Sequence, residues 1–337
     1  MTEQELDLLL SEPNERLGHT LSKLESPILI LGANGKMGPT LSLLAKRSLE
    51  LVGVEKKIVA ISRFGDAEGR NWFEKHGIET QICDLLSRNE VNALPDSANI
   101  LYMAGRKFGT QQQPSLTWSM NTLPPSYICE RFTNARIVAL SSGAVYPMVP
   151  VRGGGSTERD PLTPPGEYAN ACVARERMFE YYSEKQGTKI ALIRLNYAVE
   201  PRYGVLVDIA LKVYRREPVD LTMGYLNCIW QRDANDMILR SFDLASSPAT
   251  PLNLTGLEIF SVRSLAEMFG KHFGHPPQFT GSESDHALLN NASATIQRLG
   301  EPEMSIEKMV RIVANWITTG GRLLGKPTHF EVRDGSY

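Results

Sequence analysis

From Pro27 onward, short apolar runs alternate with amphipathic stretches. ILILG (28–32) leads into a helix-like segment reaching about Glu50, and KIVAIS (57–62) precedes a helical stretch around Asn71–His76. IETQICDL (78–85), ANILYMAG (98–105), RIVALSS (136–142) and KIALIRLN (189–196) continue the rhythm. Strands that are apolar throughout, rather than at every second position, are covered on both faces, and the intervening helices supply the cover. The pattern predicts an α/β fold built on a doubly wound parallel sheet, without internal repeats.

After Asn196 the rhythm breaks. Val205–Arg215 reads as a helix, Leu226–Trp230 as an extended stretch and PLNLTG (251–256) as one more strand. SVRSLAEMFGKHFG (261–274) and SIEKMVRIVANWI (305–317) read as capped helices, the latter with Ser305 and Glu307 at its start. The expected organisation begins with an N-terminal helical extension over 1–26 lying on the main body. A sheet domain over 27–196 follows, with return segments near 226–257. A smaller C-terminal substrate-binding lobe comprises 197–225 and 258–320, and the tail 321–337 is expected to be loosely ordered or docked on a neighbour.

Composition narrows the class. The 337 residues carry 36 Lys and Arg against 38 Asp and Glu, a formal charge of −2, which exerts no general pull on nucleic acid or anionic membrane. No stretch reaches the roughly 18 apolar residues of a membrane-spanning helix. The acidic start MTEQELDLLLSEPNER lacks the basic-then-apolar plan of a secretory leader. Neither nucleic acid nor membrane is an expected partner, and the cytoplasm is the expected location. Cys83, Cys129, Cys172 and Cys228 lie too far apart for a CxxC pair. Among the histidines only His272 and His275 have metal-like spacing, and beside Gly274 and Pro276 they read as surface residues.

The sharpest local signal is GANGKMG, which follows ILIL and precedes PTLSLLAKR. Strand, glycine-rich turn and helix in that order form a Rossmann-like dinucleotide cradle. Gly32, Gly35 and Gly38 permit the tight turn, and the loop with Asn34, Lys36 and Met37 comes close to a pyrophosphate at the helix N-terminus. An acidic residue at the end of the second strand normally meets the adenosine ribose; here that place reads Ser62-Arg63. A hydroxyl beside a guanidinium suits a 2′-phosphate. The expected cofactor is NAD or NADP, with the charge logic tilting towards NADP.

Further motifs follow in order. Asp84-Leu85 closes the third strand, Ala104-Gly105 ends the fourth and Asn121 lies in a helix. Then come SSGAVYP (141–147), EYANACVARE with Tyr168 and Glu176, and Asp233-Ala234. Together with the glycine loop they resemble the extended short-chain dehydrogenase/reductase superfamily, in its NAD-dependent epimerase/dehydratase branch, over roughly residues 27 to 320. The resemblance implies that Asp84 and Leu85 hold the adenine, and that Ala104, Gly105 and Asn121 lie along the cofactor. It implies that Ser142 is the active-site serine and Tyr168 the catalytic tyrosine, itself a cofactor contact. It also implies a homodimer through the helices bearing Asn121 and Tyr168, with Trp118, Met120, Tyr127, Met178 and Phe179 as candidate contacts.

The departure is at position 172, where the family pattern Tyr-x-x-x-Lys becomes Tyr168-x-x-x-Cys172. One helical turn from the tyrosine, the family lysine binds the nicotinamide ribose and its charge favours phenolate. A neutral cysteine does neither and reads as a small apolar filler. Arg175 and Arg106-Lys107 are the candidate substitutes. Two nucleotide-sugar cues are also missing. The place of the diphosphate-binding arginine falls on Leu226, with Arg232 beside the Asp233 turn, and the family's Asn-x-Tyr-Gly-Pro is Tyr197-Ala-Val-Glu-Pro201 with Asn196 displaced by one. These departures favour a free sugar or sugar acid over a nucleotide sugar.

The expected activity is NAD(P)-dependent oxidation, epimerisation or dehydration at a carbinol, with Tyr168 as general acid/base and Ser142 orienting the substrate oxygen. Loss of the lysine keeps open a catalytically weak NAD(P) sensor. RGGGSTERD (152–160) reads either as a flexible lid or as a surface loop.

Overall fold

The structure is a computed structural model and describes residues 1–335 other than 66, 108, 110, 111 and 327. Of the anticipated tail, positions 327, 336 and 337 therefore lie outside the described residues. The strands β1 (Ile28–Leu31), β2 (Ile58–Ser62), β3 (Glu79–Ile82), β4 (Asn99–Tyr102), β5 (Arg136–Leu140), β6 (Lys189–Leu195) and β7 (Thr250–Leu254) form one sheet. Their order is β7-β6-β5-β4-β1-β2-β3, and every pairing is parallel. The first half of the chain carries α1 (Glu3–Leu10), α2 (Glu15–Ser22), α3 (Gly38–Leu51), α4 (Ala67–Lys75), α5 (Arg88–Asn92) and α6 (Pro114–Arg131). The second carries α7 (Glu167–Gln186), α8 (Val205–Tyr214), α9 (Gln231–Arg240), α10 (Val262–Phe273), α11 (Ser293–Leu299) and α12 (Ile306–Thr318).

Successive side chains of a strand point to opposite faces. Ile28 and Ile30 enter a core shared with α2, α3, α9 and α11, whereas Leu29 and Leu31 enter one shared with α6 and α7. Both faces of the inner strands are dry, which is why those strands read as unbroken apolar runs; the edge strand β3, expected to be covered as they are, is exposed at both ends. A third core joins α8, α10 and α12 to Leu6 and Leu10 of α1 and to Phe330. Ser261 and Ser305 cap α10 and α12, accepting from Ser264 N at 2.9 Å and Lys308 N at 3.4 Å.

Three differences from the sequence reading have physical causes. The N-terminal extension is two helices in two cores, α1 in the second lobe and α2 against the sheet. α11, anticipated within the smaller lobe, packs through Ile296 and Leu299 on the sheet core. Most instructive is α9. All ten residues of QRDANDMILR are buried, although five of them are polar or charged neighbours at its start. Arg240 pairs with Asp236 at 2.6 Å, Asp233 accepts from the backbone of Glu303 and Met304 at 3.0 and 2.9 Å, and Gln231 donates to Thr40 at 3.1 Å. Buried polar groups persist only with such partners, and a helix assembled this way carries no apolar stripe to read.

The segment 152–160, which reads in sequence as either a lid or a surface loop, is pinned from Gly155 to Glu158. Gly155 lies so close to Asn290 that a Cβ would sit 2.7 Å from its carbonyl carbon, Ser156 bonds the backbone of Leu289 and Asn291, and the Glu158 carboxylate accepts from Asn253 N at 2.9 Å. Among the candidate dimer contacts, Phe179 is fully buried in the protein's own core, while Trp118 on α6 remains 38% exposed.

Candidate active site

β1 lies between β2 and β4, so the chain winds away from it in both directions and leaves a crevice at the carboxyl ends of the strands. The glycine loop fills that place. Gly32 has φ +80°, and a Cβ there would meet the Ala104 backbone at 2.8 Å. At Gly38 a Cβ would lie 1.9 Å from the Ala33 carbonyl oxygen. These two glycines are fixed by internal packing. Gly35 is exposed between them and a Cβ there would have its nearest neighbour 3.4 Å away, so the surface is uncrowded, while its N–H donates to the Gly32 carbonyl at 3.1 Å and its carbonyl accepts from Gly38 N at 3.2 Å.

The loop separates two cavities. One of about 350 Å³ is lined by Asn34, Ser62, Arg63, Asp84, Leu85, Ala104 and Gly105. The other, of about 270 Å³, is lined by Lys36, Met37, Ser142 and Tyr168. Gly32, Gly35 and Met103 line both. Every expected site residue thus lies on one cavity or the other except Gly38 and Asn121. Asn121 is fully buried: its amide donates to the Thr117 carbonyl at 2.7 Å and its oxygen accepts from Arg175. Asp84 turns back on its own loop and accepts from Leu86 N at 3.0 Å, whereas Arg63 is exposed at the rim.

In the second cavity the Tyr168 hydroxyl, on the first turn of α7, is hydrogen-bonded with the Ser142 hydroxyl and the Cys172 thiol. Ser142 is held from behind, accepting from Ala144 N at 3.1 Å. Burial raises the Tyr168 phenol well above the ordinary tyrosine range; Cys172 adds to this, while Arg175 and the Ser142 bond oppose it. Cys172 is itself fully buried, and burial keeps its thiol protonated. The filler reading of Cys172 is what the packing with Val145 and Tyr146 gives.

Of the candidate substitute cations, Arg175 lies beneath this group. Its guanidinium donates to the Leu140 carbonyl at 2.7 Å and to Asn121, leaving it 4% exposed. A Cβ on Gly105 would sit 2.2 Å from Arg175 Nη2, so glycine at 105 makes room for this cation. Lys107 lines the cavity and donates to the Thr328 carbonyl at 3.4 Å. Arg106 turns away to Gln113 at 2.8 Å. Lys36 is a further cation on the cavity wall. Its ammonium donates to the Ala198 carbonyl at 2.7 Å, lies 4.5 Å from the centre of the Tyr203 ring and is pulled down to about 8 by burial, against the raising effect of Glu200.

The sequence reading missed Met103, Tyr203 and Thr328 on these walls. Met103 sits inside LYMAG, and its position before Ala104 was the available signal; nothing local marks Thr328, which arrives from the far end of the chain. Glu176 is structural: fully buried, it accepts from Arg194 Nη2 at 2.7 Å and from the Ser141 hydroxyl. Among the described residues no group of three His, Cys, Asp or Glu is placed to hold a metal ion, and no helix is long and apolar enough to cross a membrane.

Comparison with known proteins bears on this geometry. Residues 28–218, more than half of the chain, match the NAD dependent epimerase/dehydratase family. A search of curated proteins finds no match. Among solved structures, Pal from Bacillus thuringiensis superposes with a TM-score of 0.71 at 17% identity, covering 87% of this chain and 99% of the other. UDP-glucuronic acid 4-epimerase from Bacillus cereus, in complex with NAD, gives 0.71 at 15% identity, with 87% and 96% covered. The Thermus thermophilus UDP-glucose 4-epimerase complex with NAD gives 0.69 at 18%, with 87% and 99% covered. These likenesses show the shared Rossmann-like fold, and with the family match they establish that the chain belongs to the NAD-dependent epimerase/dehydratase family.

Proposed function

We propose that the protein is an oxidoreductase or epimerase that binds NAD(P) across the glycine loop and acts on a carbinol of a free sugar or sugar acid. The observation that carries this reading is the meeting of Ser142 and Tyr168 on the wall of the cavity that begins at the glycine loop. The two cavities on either side of the exposed, uncrowded Gly35 suit an elongated dinucleotide. Asn34, Ser62, Arg63, Asp84 and Leu85 would hold the adenosine half, and the loop the pyrophosphate. When bound, the nicotinamide accepts and returns a hydride. Tyr168 moves the hydroxyl proton at its Oη, and Ser142 hydrogen-bonds the same substrate oxygen. Lys36 and Lys107 on this wall favour a substrate carrying a carboxylate.

The buried Cys172 in place of a lysine one turn from Tyr168 supports a second reading, a dinucleotide sensor with little turnover. Titration with NAD⁺, NADH, NADP⁺ and NADPH, followed by a screen of free sugars and sugar acids for reduced-cofactor absorbance, separates the two. Hydride transfer is the expected result; tight binding without turnover favours the sensor, and no binding of any dinucleotide overturns both.

We further read NADP as the preferred form, because Ser62 and Arg63 stand where a carboxylate would repel a 2′-phosphate. Losing a charge-assisted hydrogen bond costs about 1.5–3 kcal/mol, so Arg63→Ala should weaken NADPH roughly 10- to 100-fold and leave NADH unchanged. Equal effects on the two cofactors, read by nicotinamide fluorescence, would retire the preference.

A further inference from the structure

The chain beyond α12 does not trail into solvent; residues 328–335 cross the substrate side of the cleft. Thr328 donates through its amide and hydroxyl to the Asp208 carboxylate of α8, at 2.8 and 2.5 Å. Phe330, 1% exposed, belongs to the core of the second lobe. Arg333 donates to the carbonyls of Thr222 and His286 at 2.9 and 3.0 Å and to the Ser284 hydroxyl at 3.2 Å. Gly335 ends against Gly166, the residue capping the catalytic helix two positions before Tyr168. A Cβ on either glycine would approach the opposing backbone to 2.4 Å. The expectation of a loosely ordered or neighbour-docked tail is thereby corrected for the described residues.

This placement has a consequence for the cavity. Ala144 and Leu288, on the wall of the active-site cavity, also border a second space that continues it towards Met148 and Met223. Val332, Arg333 and Gly335 line that space, which measures about 20 Å³, room for about one water molecule. Thr328, where the segment begins, itself lines the cavity that holds Ser142 and Tyr168.

We propose that residues 328–335 form a strap, clamped by Arg333, that sets the size of the substrate: it closes the cleft to nucleoside diphosphates and restricts the site to a free sugar acid held beside Lys36 and Lys107. The strap is a fixed wall, since a buried phenylalanine, a buried threonine and an arginine bonded to three groups hold it from both ends. This inference rests on the function proposed above and names the substrate class of the same site.

The test measures uridine diphosphate binding by calorimetry, with and without saturating dinucleotide. The proteins compared are the full chain, a deletion of residues 326–337 and Arg333→Ala. Dinucleotide is titrated separately on the same samples, so failure of the cofactor reading shows there and not in the diphosphate arm. The full chain should show no binding at about 1 mM diphosphate, and opening the strap should raise affinity at least about tenfold. Because the deletion exposes the Phe330 site and can fail to fold, Arg333→Ala carries the decision, with hydrogen exchange of residues 331–335 reporting release. Diphosphate binding equal in the full chain and the opened variants overturns the proposal. Released amides without a gain in binding overturn it as well, as do amides that stay protected in Arg333→Ala, since Arg333 would then not be the clamp.

Discussion

Tyr168→Phe should lower turnover by about 10²- to 10⁴-fold, the usual worth of a positioned proton donor or acceptor, while dinucleotide affinity stays unchanged. The wild-type pH profile should differ between directions. Burial holds the phenol above its ordinary value near 10, so the proton is present throughout the neutral range and reduction of a carbonyl should be flat with pH. Oxidation draws on the phenolate, which appears only as pH rises towards the raised value, and its rate should climb without a plateau below about pH 10. Cys172→Lys supplies a cation one turn from the tyrosine, and an opposite charge at that range shifts such a group by about one to three pH units. The variant should therefore oxidise at least about tenfold faster at neutral pH, with its profile displaced to lower pH. An unmoved profile would mean that the fixed charges of Arg175 and Lys107 already suffice. Full turnover in Tyr168→Phe would remove the tyrosine from the mechanism.

Glu176→Ala should destabilise the fold by about 3–5 kcal/mol, the cost of leaving one member of a buried ion pair without its partner. Arg194 is 3% exposed and Glu176 fully buried. The same guanidinium donates to the Tyr146 hydroxyl at 2.6 Å and the Glu158 carbonyl at 3.2 Å, so one pair ties α7, β6, the Ser141-Ser142 turn and the pinned 152–160 segment together. Urea denaturation of Glu176→Ala beside Arg177→Ala gives the contrast. Arg177 pairs with Glu180 on the surface at 2.6 Å with 57% of its side chain exposed, and such pairs contribute roughly 0–1 kcal/mol. Comparable losses in the two variants would deny the buried pair its structural role.

The sheet was legible because each of its inner strands is apolar on both faces, and the glycine loop because its neighbours on either side are unmistakably strand and helix. Ser142 and Tyr168 were legible through motif order, which the cavity then brings together. What could not be read depended on contacts distant in sequence. Asn121 looked like a cofactor ligand, but its oxygen is taken by Arg175, 54 positions on. Gly105 matched a family pattern without disclosing that an arginine beneath it needs the space. α9 hid its burial behind polar and charged residues whose partners lie at the cap of α2, on α3 and in the turn before α12. Thr328 reached the cavity only because Asp208 on α8 holds it.

The division of α1 and α2 between two cores bears on how the chain reaches this state. Leu6 and Leu10 share a core with Val310 and Val313 of α12, so the core that α1 enters is complete only once a helix about 300 residues further along has been made. At roughly 5–20 residues per second, about 300 residues of synthesis correspond to some 15–60 s. During that interval Leu6 and Leu10 lack part of their core, while α2, a few residues away, can already dock on the nascent sheet. The long sequence separation of these contacts makes closure of the second lobe a late and slow event, and it gives the growing chain a half-assembled stage in which the glycine loop exists before the second lobe is closed.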